Sequence, residues 1–224
     1  MTDATPFEPD YSDQTGFFNP DGFADTLTVI GCGGIGASIL PTLVTMGFSR
    51  YVLWDDDGVE PRNIASNLIF APGDLYRPKK VEVVKEYLLR YGATDVQIFP
   101  RRFTAKDHLD AGIVISGVDT MAARKEIWKA VKKSDVSLYL DGRIGGEHFT
   151  LLSVEPFDGD WYEKEWLFDD AAAADLPCTL RAVVYPAVAL GAEMAALLAG
   201  WSRGDRGIPH RIDHHLGSNF YQAM

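Results

Sequence analysis

Residues 26–58 constrain this chain more than any other stretch. A short apolar run rich in β-branched residues, Thr26–Ile30, enters the turn Gly31-Cys32-Gly33-Gly34-Ile35-Gly36. Ile35, Ile39, Leu40, Leu43 and Val44 then recur on one helix face, and Gly47 stands where a left-handed C-terminal cap belongs. A second apolar run, residues 51–54, ends in Asp55, Asp56 and Asp57. Strand, glycine turn, helix, strand: the order reads as a βαβ unit, whose two strands lie parallel in one sheet.

That unit, with its terminal acid, points to a nucleotide. Gly31, Gly33, Gly34 and Gly36 let the backbone turn tightly and approach a phosphate with no Cβ in the way. The helix that follows aims its free N–H groups and positive dipole end at the same place. Asp55, at the tip of the second strand, is placed to accept hydrogen bonds from a ribose. The expected fold is α/β, a Rossmann-like doubly wound sheet. The alternative is a glycine turn that only packs helix on sheet.

The rest of the chain extends the pattern. Strands are predicted at residues 95–99, 112–115, 136–140 and 149–154, with helices at 79–91 and 120–131 between them. Pro78 is read as the first helical position and residues 63–70 as one short helical turn. Alternation of strands and helices implies a mostly parallel sheet. Gly145-Gly146 leaves no room for a crossover helix, so the last two strands are expected to run antiparallel. Residues 1–25 carry six acids and no basic residue but five aromatics, and are read as an acidic arm that lies partly on the domain. The domain proper is placed at 26–203, with a crossover loop at about 156–181 that includes a short helix. An apolar helix is expected at 182–201 and a polar tail at 204–224.

Composition narrows the function classes. The 224 residues carry a net charge of −11, which makes nucleic acid and anionic membrane poor partners. Cys32 and Cys178 are the only cysteines. With no C-x-x-C pair, the expectation is a cytoplasmic protein lacking structural disulfides and a cysteine zinc site. No Lys or Arg precedes Arg50, so no signal or transit peptide is expected. The adjacent His214 and His215 are not expected to form a metal site.

Four motifs in order carry a family resemblance. They are V-I-G-C-G-G-I-G (residues 29–36), D-x-D-x-V-E at Asp55, Asp57, Val59 and Glu60 followed by Pro61 and Asn63, K-V-E from Lys80, and V-D-x-x-x-x-R at Val118, Asp119 and Arg124. Together they resemble the ThiF/MoeB adenylyltransferases and the adenylation domains of ubiquitin-activating enzymes, over about residues 26–156. The resemblance implies ATP-dependent adenylation of the C-terminal glycine of a small ubiquitin-like or sulfur-carrier protein, with Mg²⁺, by a homodimer. It gives Asp55 to the ribose, Gly33 and Gly34 to backbone contact with the nucleotide, and Asn63 to orienting the phosphates. Asp57 becomes a further polar contact. Lys80 is expected to neutralise the phosphates, and Asp119, at a strand's C-terminal edge, to hold Mg²⁺.

Each of these residues has a structural alternative. Lys80 competes with Lys79, Asp119 could cap the next helix, and Arg124 could serve an internal ion pair. Asp56 is read as a solvated turn residue. Arg143 is divided between a partner's tail and pairing with Asp141 or Glu147. Cys178 is divided between accepting the activated carboxylate as a thioester and packing, whereas Cys32 is read as packing.

The chain also departs from the family. Where the family commonly has an arginine that reaches the triphosphate, this sequence has Ser66, and Arg62 or Arg77 is the candidate replacement. Two other classes stay open. The fingerprint Gly31, Gly33, Gly36 and Asp55 also suits a NAD-dependent oxidoreductase, and the missing arginine suits a non-catalytic partner of an activating enzyme.

Overall fold

A computed structural model describes residues 9–169, 183–205 and 207–224. In chain order the elements are β1 (Thr26–Ile30), α1 (Gly36–Thr45), β2 (Arg50–Trp54), α2 (Pro61–Ile64), α3 (Lys80–Arg90), β3 (Asp95–Phe99), β4 (Gly112–Ser116) and α4 (Met121–Val131). Then follow β5 (Val136–Gly145), β6 (His148–Val154), α5 (Asp160–Trp166), α6 (Val184–Ser202), β7 (Arg211–His215) and β8 (Phe220–Ala223). They build one eight-stranded sheet in the order β3-β2-β1-β4-β5-β6-β7-β8. The first five strands in that order are parallel and the last three join antiparallel.

Helices cover both faces, as the doubly wound reading requires. On one face α1, α3 and α6 bury Ile39, Leu43, Val84, Leu88, Leu190, Met194 and Leu198 against Leu27, Val29, Leu53 and Ile115. On the other, α4 and α5 bury Ile127, Trp128, Val131 and Tyr162 against Val52, Val114, Tyr139 and Val154. Each large apolar side chain taken out of water stabilises the fold by about 1.5–3 kcal/mol. Helix α6 is long and apolar enough to cross a membrane. In this fold it packs on α1, where Gly191 lies so close to Ile39 that a methyl group there would sit 3.0 Å from the Ile39 Cα.

Several boundaries differ from the sequence expectation. Helix α3 starts at Lys80 with Lys79 as its cap residue, so Pro78 lies just outside it. The short turn expected at 63–70 is instead α2, opened by Pro61. Strand β5 does not stop at Leu140 but continues through Asp141, Gly142 and Arg143, because β6 folds back on it and pairs Asp141 with Leu152 and Arg143 with Thr150. The stretch expected to be a polar tail supplies β7 and β8. Its single deeply buried apolar residue, Ile212, anchors it to the core. Of the arm, Phe18 stacks on Phe48 at 4.3 Å and Phe23 meets the same ring edge-on at 4.7 Å, so this part lies on the domain. Cys178 and residues 170–181 of the expected crossover loop fall outside the described residues.

Candidate nucleotide site

Strand order reverses between β1 and β4: from β1 the chain steps outward to β2 and β3, then crosses back to place β4 on the other side of β1. In open α/β sheets, ligands bind at such a point beyond the carboxyl ends of the strands. Three glycines close it. Gly31 has φ +92°, and a methyl group there would lie 2.8 Å from the Gly117 carbonyl carbon. A methyl group on Gly36 would fall 2.1 Å from the Gly31 carbonyl oxygen. Gly117 is itself wedged against Gly31 and Gly36. The contact of Gly117 with the distant glycine turn is a tertiary fact that no local pattern announces. Gly33 differs from all three: among the described residues nothing lies within 4 Å of where its Cβ would be. Its backbone is open to a ligand from outside. A methyl group on Gly34 would lie 3.7 Å from the Ser66 carbonyl oxygen, so the 63–67 loop lies against the turn.

Asp55 ties this turn to the tip of β2. Its Oδ2 accepts from the Cys32 N–H at 2.7 Å and its Oδ1 from the Asp57 N–H at 2.8 Å. Burial pushes the Asp55 carboxyl above its usual range, opposed by Lys80 and by the two N–H donors. The adjacent Cys32 thiol is driven far upward by burial, and further by Asp55, so it stays protonated and inert.

The two neighbouring lysines separate cleanly. The Lys80 side chain is 6% exposed and its Nζ donates to Asp57 Oδ2 at 2.9 Å. The backbone is tied at the same point, Lys80 N–H to Asp57 carbonyl at 2.9 Å. Lys79 instead reaches the Asp56 carbonyl oxygen from the surface. The hydrogen bond from Lys80, aided by its charge and that of Arg62 and Arg102, holds the Asp57 carboxyl below its usual range despite partial burial. Lys80 is therefore a desolvated cation resting on a half-exposed carboxylate, an arrangement that a polyphosphate could displace.

The remaining candidates are distributed unevenly. Asp119 is exposed, three residues beyond the C-terminal end of β4. The cap of α4 is Thr120, which accepts from the Ala123 N–H, so capping is not the part Asp119 plays. Asn63 is buried with its Oδ1 accepting from the Glu60 N–H, a capping role that leaves its amide NH₂ end as the donor for any ligand. Arg62 is 76% exposed and pairs with Glu60 at 2.7 Å. Arg77 is engaged within the fold: both terminal nitrogens donate to Glu86 of α3 at 2.6 Å. Arg124 and Arg143 converge on the fully buried Asp141, through Arg124 Nε at 2.9 Å and Arg143 Nε and Nη2 at 2.8 and 2.7 Å. The Tyr162 hydroxyl adds a fourth donor at 2.9 Å.

Known proteins share this arrangement of strands. The fold matches E. coli MccB solved with ATP at a TM-score of 0.67 and 17% identity, covering 92% of this chain and 65% of that one. It matches PaaA at 0.71 and 15%, covering 96% and 68%. By sequence, the chain is 28% identical over 177 residues to the sulfur carrier protein ThiS adenylyltransferase of Escherichia coli, covering 76% of this chain and 69% of the relative. It is 26% identical over 189 residues to ubiquitin-like modifier-activating enzyme 5 of Caenorhabditis elegans, covering 70% of this chain and 44% of the relative. A profile of the ThiF family matches residues 23–200, and the chain belongs to that family.

Proposed function

We propose that the chain is an ATP-dependent adenylyltransferase that activates the C-terminal glycine carboxylate of a small ubiquitin-like or sulfur-carrier protein. One observation carries the reading. The desolvated Lys80 ammonium, the Asp55 carboxylate and the open backbone of Gly33 meet on one rim at the sheet's reversal point. Relatives named for this activity support it.

The chemistry has a definite electrostatic demand. A carboxylate oxygen of the carrier attacks the α-phosphorus of ATP, the bond to the β-phosphate oxygen breaks, and pyrophosphate leaves with that electron pair. Two anions must approach, so catalysis rests on charge neutralisation and in-line positioning. Lys80 transfers its hydrogen bond from Asp57 to a phosphate oxygen. Asp55 offers lone pairs to the ribose while the Cys32 N–H fixes its orientation. The N–H groups of the 33–36 turn face the phosphates. Mg²⁺ would be held by Asp119 and would supply further neutralisation of the triphosphate. Arg62 remains the candidate for the charge lost at Ser66. A thioester on Cys178 and a homodimer belong to the same proposal.

The test is carrier-independent. Mg-ATP should raise the melting temperature, and replacing Asp119 or Lys80 should remove the shift. A shift with NAD(H) alone would replace this reading by an oxidoreductase. No shift with either nucleotide would favour a non-catalytic partner.

A further inference from the structure

The rim carries a cation that the adenylation chemistry above does not use. Strand β3 pairs with β2 through Phe99 opposite Trp54, so the residues after Phe99 emerge at the same edge as Asp55, Asp56 and Asp57. The Asp55 N–H reaches back to the Phe99 carbonyl at 3.4 Å. Within the loop that follows, Arg101 is locked. It donates to both carboxylate oxygens of Asp107 at 3.1 and 2.6 Å, and its guanidinium lies over the Trp54 ring at 4.7 Å. Asp107 in turn accepts from the Thr104 N–H at 2.8 Å and hydroxyl at 3.0 Å. The Arg101 Nη1 also donates to the Arg102 carbonyl at 3.3 Å, fixing the next residue's backbone.

This built loop displays Arg102. Its side chain is 79% exposed and its Nη2 stands 3.5 Å from Asp56 Oδ2, a loose pair that contributes little by itself. The guanidinium thus stands near the rim on a backbone tied by Arg101, with Asp56 as its ion-pair partner among the described residues. Its position in the sheet indicates what it would meet. Along the edge the glycine turn ends β1, Asp55 ends β2 and Arg102 follows β3. A nucleotide laid with its phosphates on the glycine turn and its ribose on Asp55 would carry its base in that direction.

Resting on the nucleotide reading above, we propose that Arg102 contacts the nucleoside end of the bound nucleotide, its planar guanidinium lying against the base beyond the ribose. A planar cation suits a π face better than an ammonium does. Arg102 would therefore set affinity for the whole nucleotide without contributing to the triphosphate.

Calorimetric titration of the full chain with Mg-ATP and, separately, with Mg-tripolyphosphate tests this. Arg102→Ala should weaken ATP binding about tenfold, Arg102→Lys should recover only part of it, and tripolyphosphate binding should stay unchanged in both. In a pyrophosphate-exchange assay the loss should fall on KM for ATP and spare kcat. Equal loss of tripolyphosphate affinity would overturn the assignment, making Arg102 a phosphate contact. Unchanged ATP affinity in Arg102→Ala, with the wild type binding normally, would overturn it and leave the adenylation reading intact. Absence of Mg-ATP binding by the wild type would remove both.

Discussion

Asp57 and Asp141 each hold a cation, and the two clusters could hardly differ more in use. At the rim, Asp57 is 61% exposed and carries the buried Lys80. Inside the sheet, Asp141 has no exposed surface and receives Arg124, Arg143 and Tyr162. The first pair borders solvent on its carboxylate side, where an anion could compete for Lys80. The second cluster cannot open, since removing either sign would strand a charge in a medium of low polarity. Similar side-chain chemistry is a functional reserve in one place and a structural pin in the other, and burial makes the difference.

The largest expected effect breaks the closed cluster. Asp141→Ala leaves Arg124 buried without its counter-ion and should cost about 3–5 kcal/mol, read as a lowered denaturant midpoint. A loss below about 1 kcal/mol would show that the cluster is solvated after all.

Gly36→Ala comes next. Its methyl group would collide with the Gly31 carbonyl oxygen, and about 3 kcal/mol of stability should be lost. Gly33→Ala meets open space and should fold normally while losing Mg-ATP affinity. If both variants melt like the wild type, the turn is looser than described.

At the open cluster, Lys80→Met should keep the fold and lower adenylate formation by about 100-fold. Single-turnover assays with a carrier, or pyrophosphate exchange, would measure it. Full activity in this variant would transfer the role to Lys79.

Smaller still is an acid-dependent term from the loop that displays Arg102. Hydrogen bonds from Arg101 and Thr104 hold the Asp107 carboxyl at about 2, down from 3.8. A depressed carboxyl contributes stability above its unfolded value, lost as pH falls through the folded one. Between those two values the wild type should lose about 1 kcal/mol that Asp107→Asn does not, after allowance for solvent screening. Parallel pH–stability curves for the two proteins would contradict the lock.

Arg77→Ala should do least. Its partner Glu86 lies on the outer side of α3, the pair is solvent-exposed, and Mg-ATP affinity should not change. A tenfold weaker affinity would restore Arg77 as the substitute for the arginine missing at Ser66.

Much of this molecule was legible without coordinates. The alternation of strands and helices specified a doubly wound sheet, and Gly145-Gly146 specified the antiparallel turn between β5 and β6. Both are local signals, a period and a breaker, which a sequence carries directly. The reach of β5 was not legible. Asp141-Gly142-Arg143 reads as a polar loop because charges rarely enter strands, and Asp141 is tolerable there because Arg124 from the distant α4 and Tyr162 from α5 join Arg143 around it. The β7–β8 hairpin was missed for a related reason. His210 to His215 is polar in composition, and its pairing to β6 is supplied by a strand some sixty residues earlier.

The sequence by itself determined the βαβ nucleotide half, the glycine turn and the acid at the tip of β2, because their spacing is short and their chemistry local. Tertiary structure alone decided which lysine faces the acids, that Arg77 pairs with Glu86, and that Gly117 closes the turn. It also decided that one aspartate is a pin and another a landing place. Those outcomes depend on burial and on partners far apart in the chain, and neither is written in any single stretch of residues.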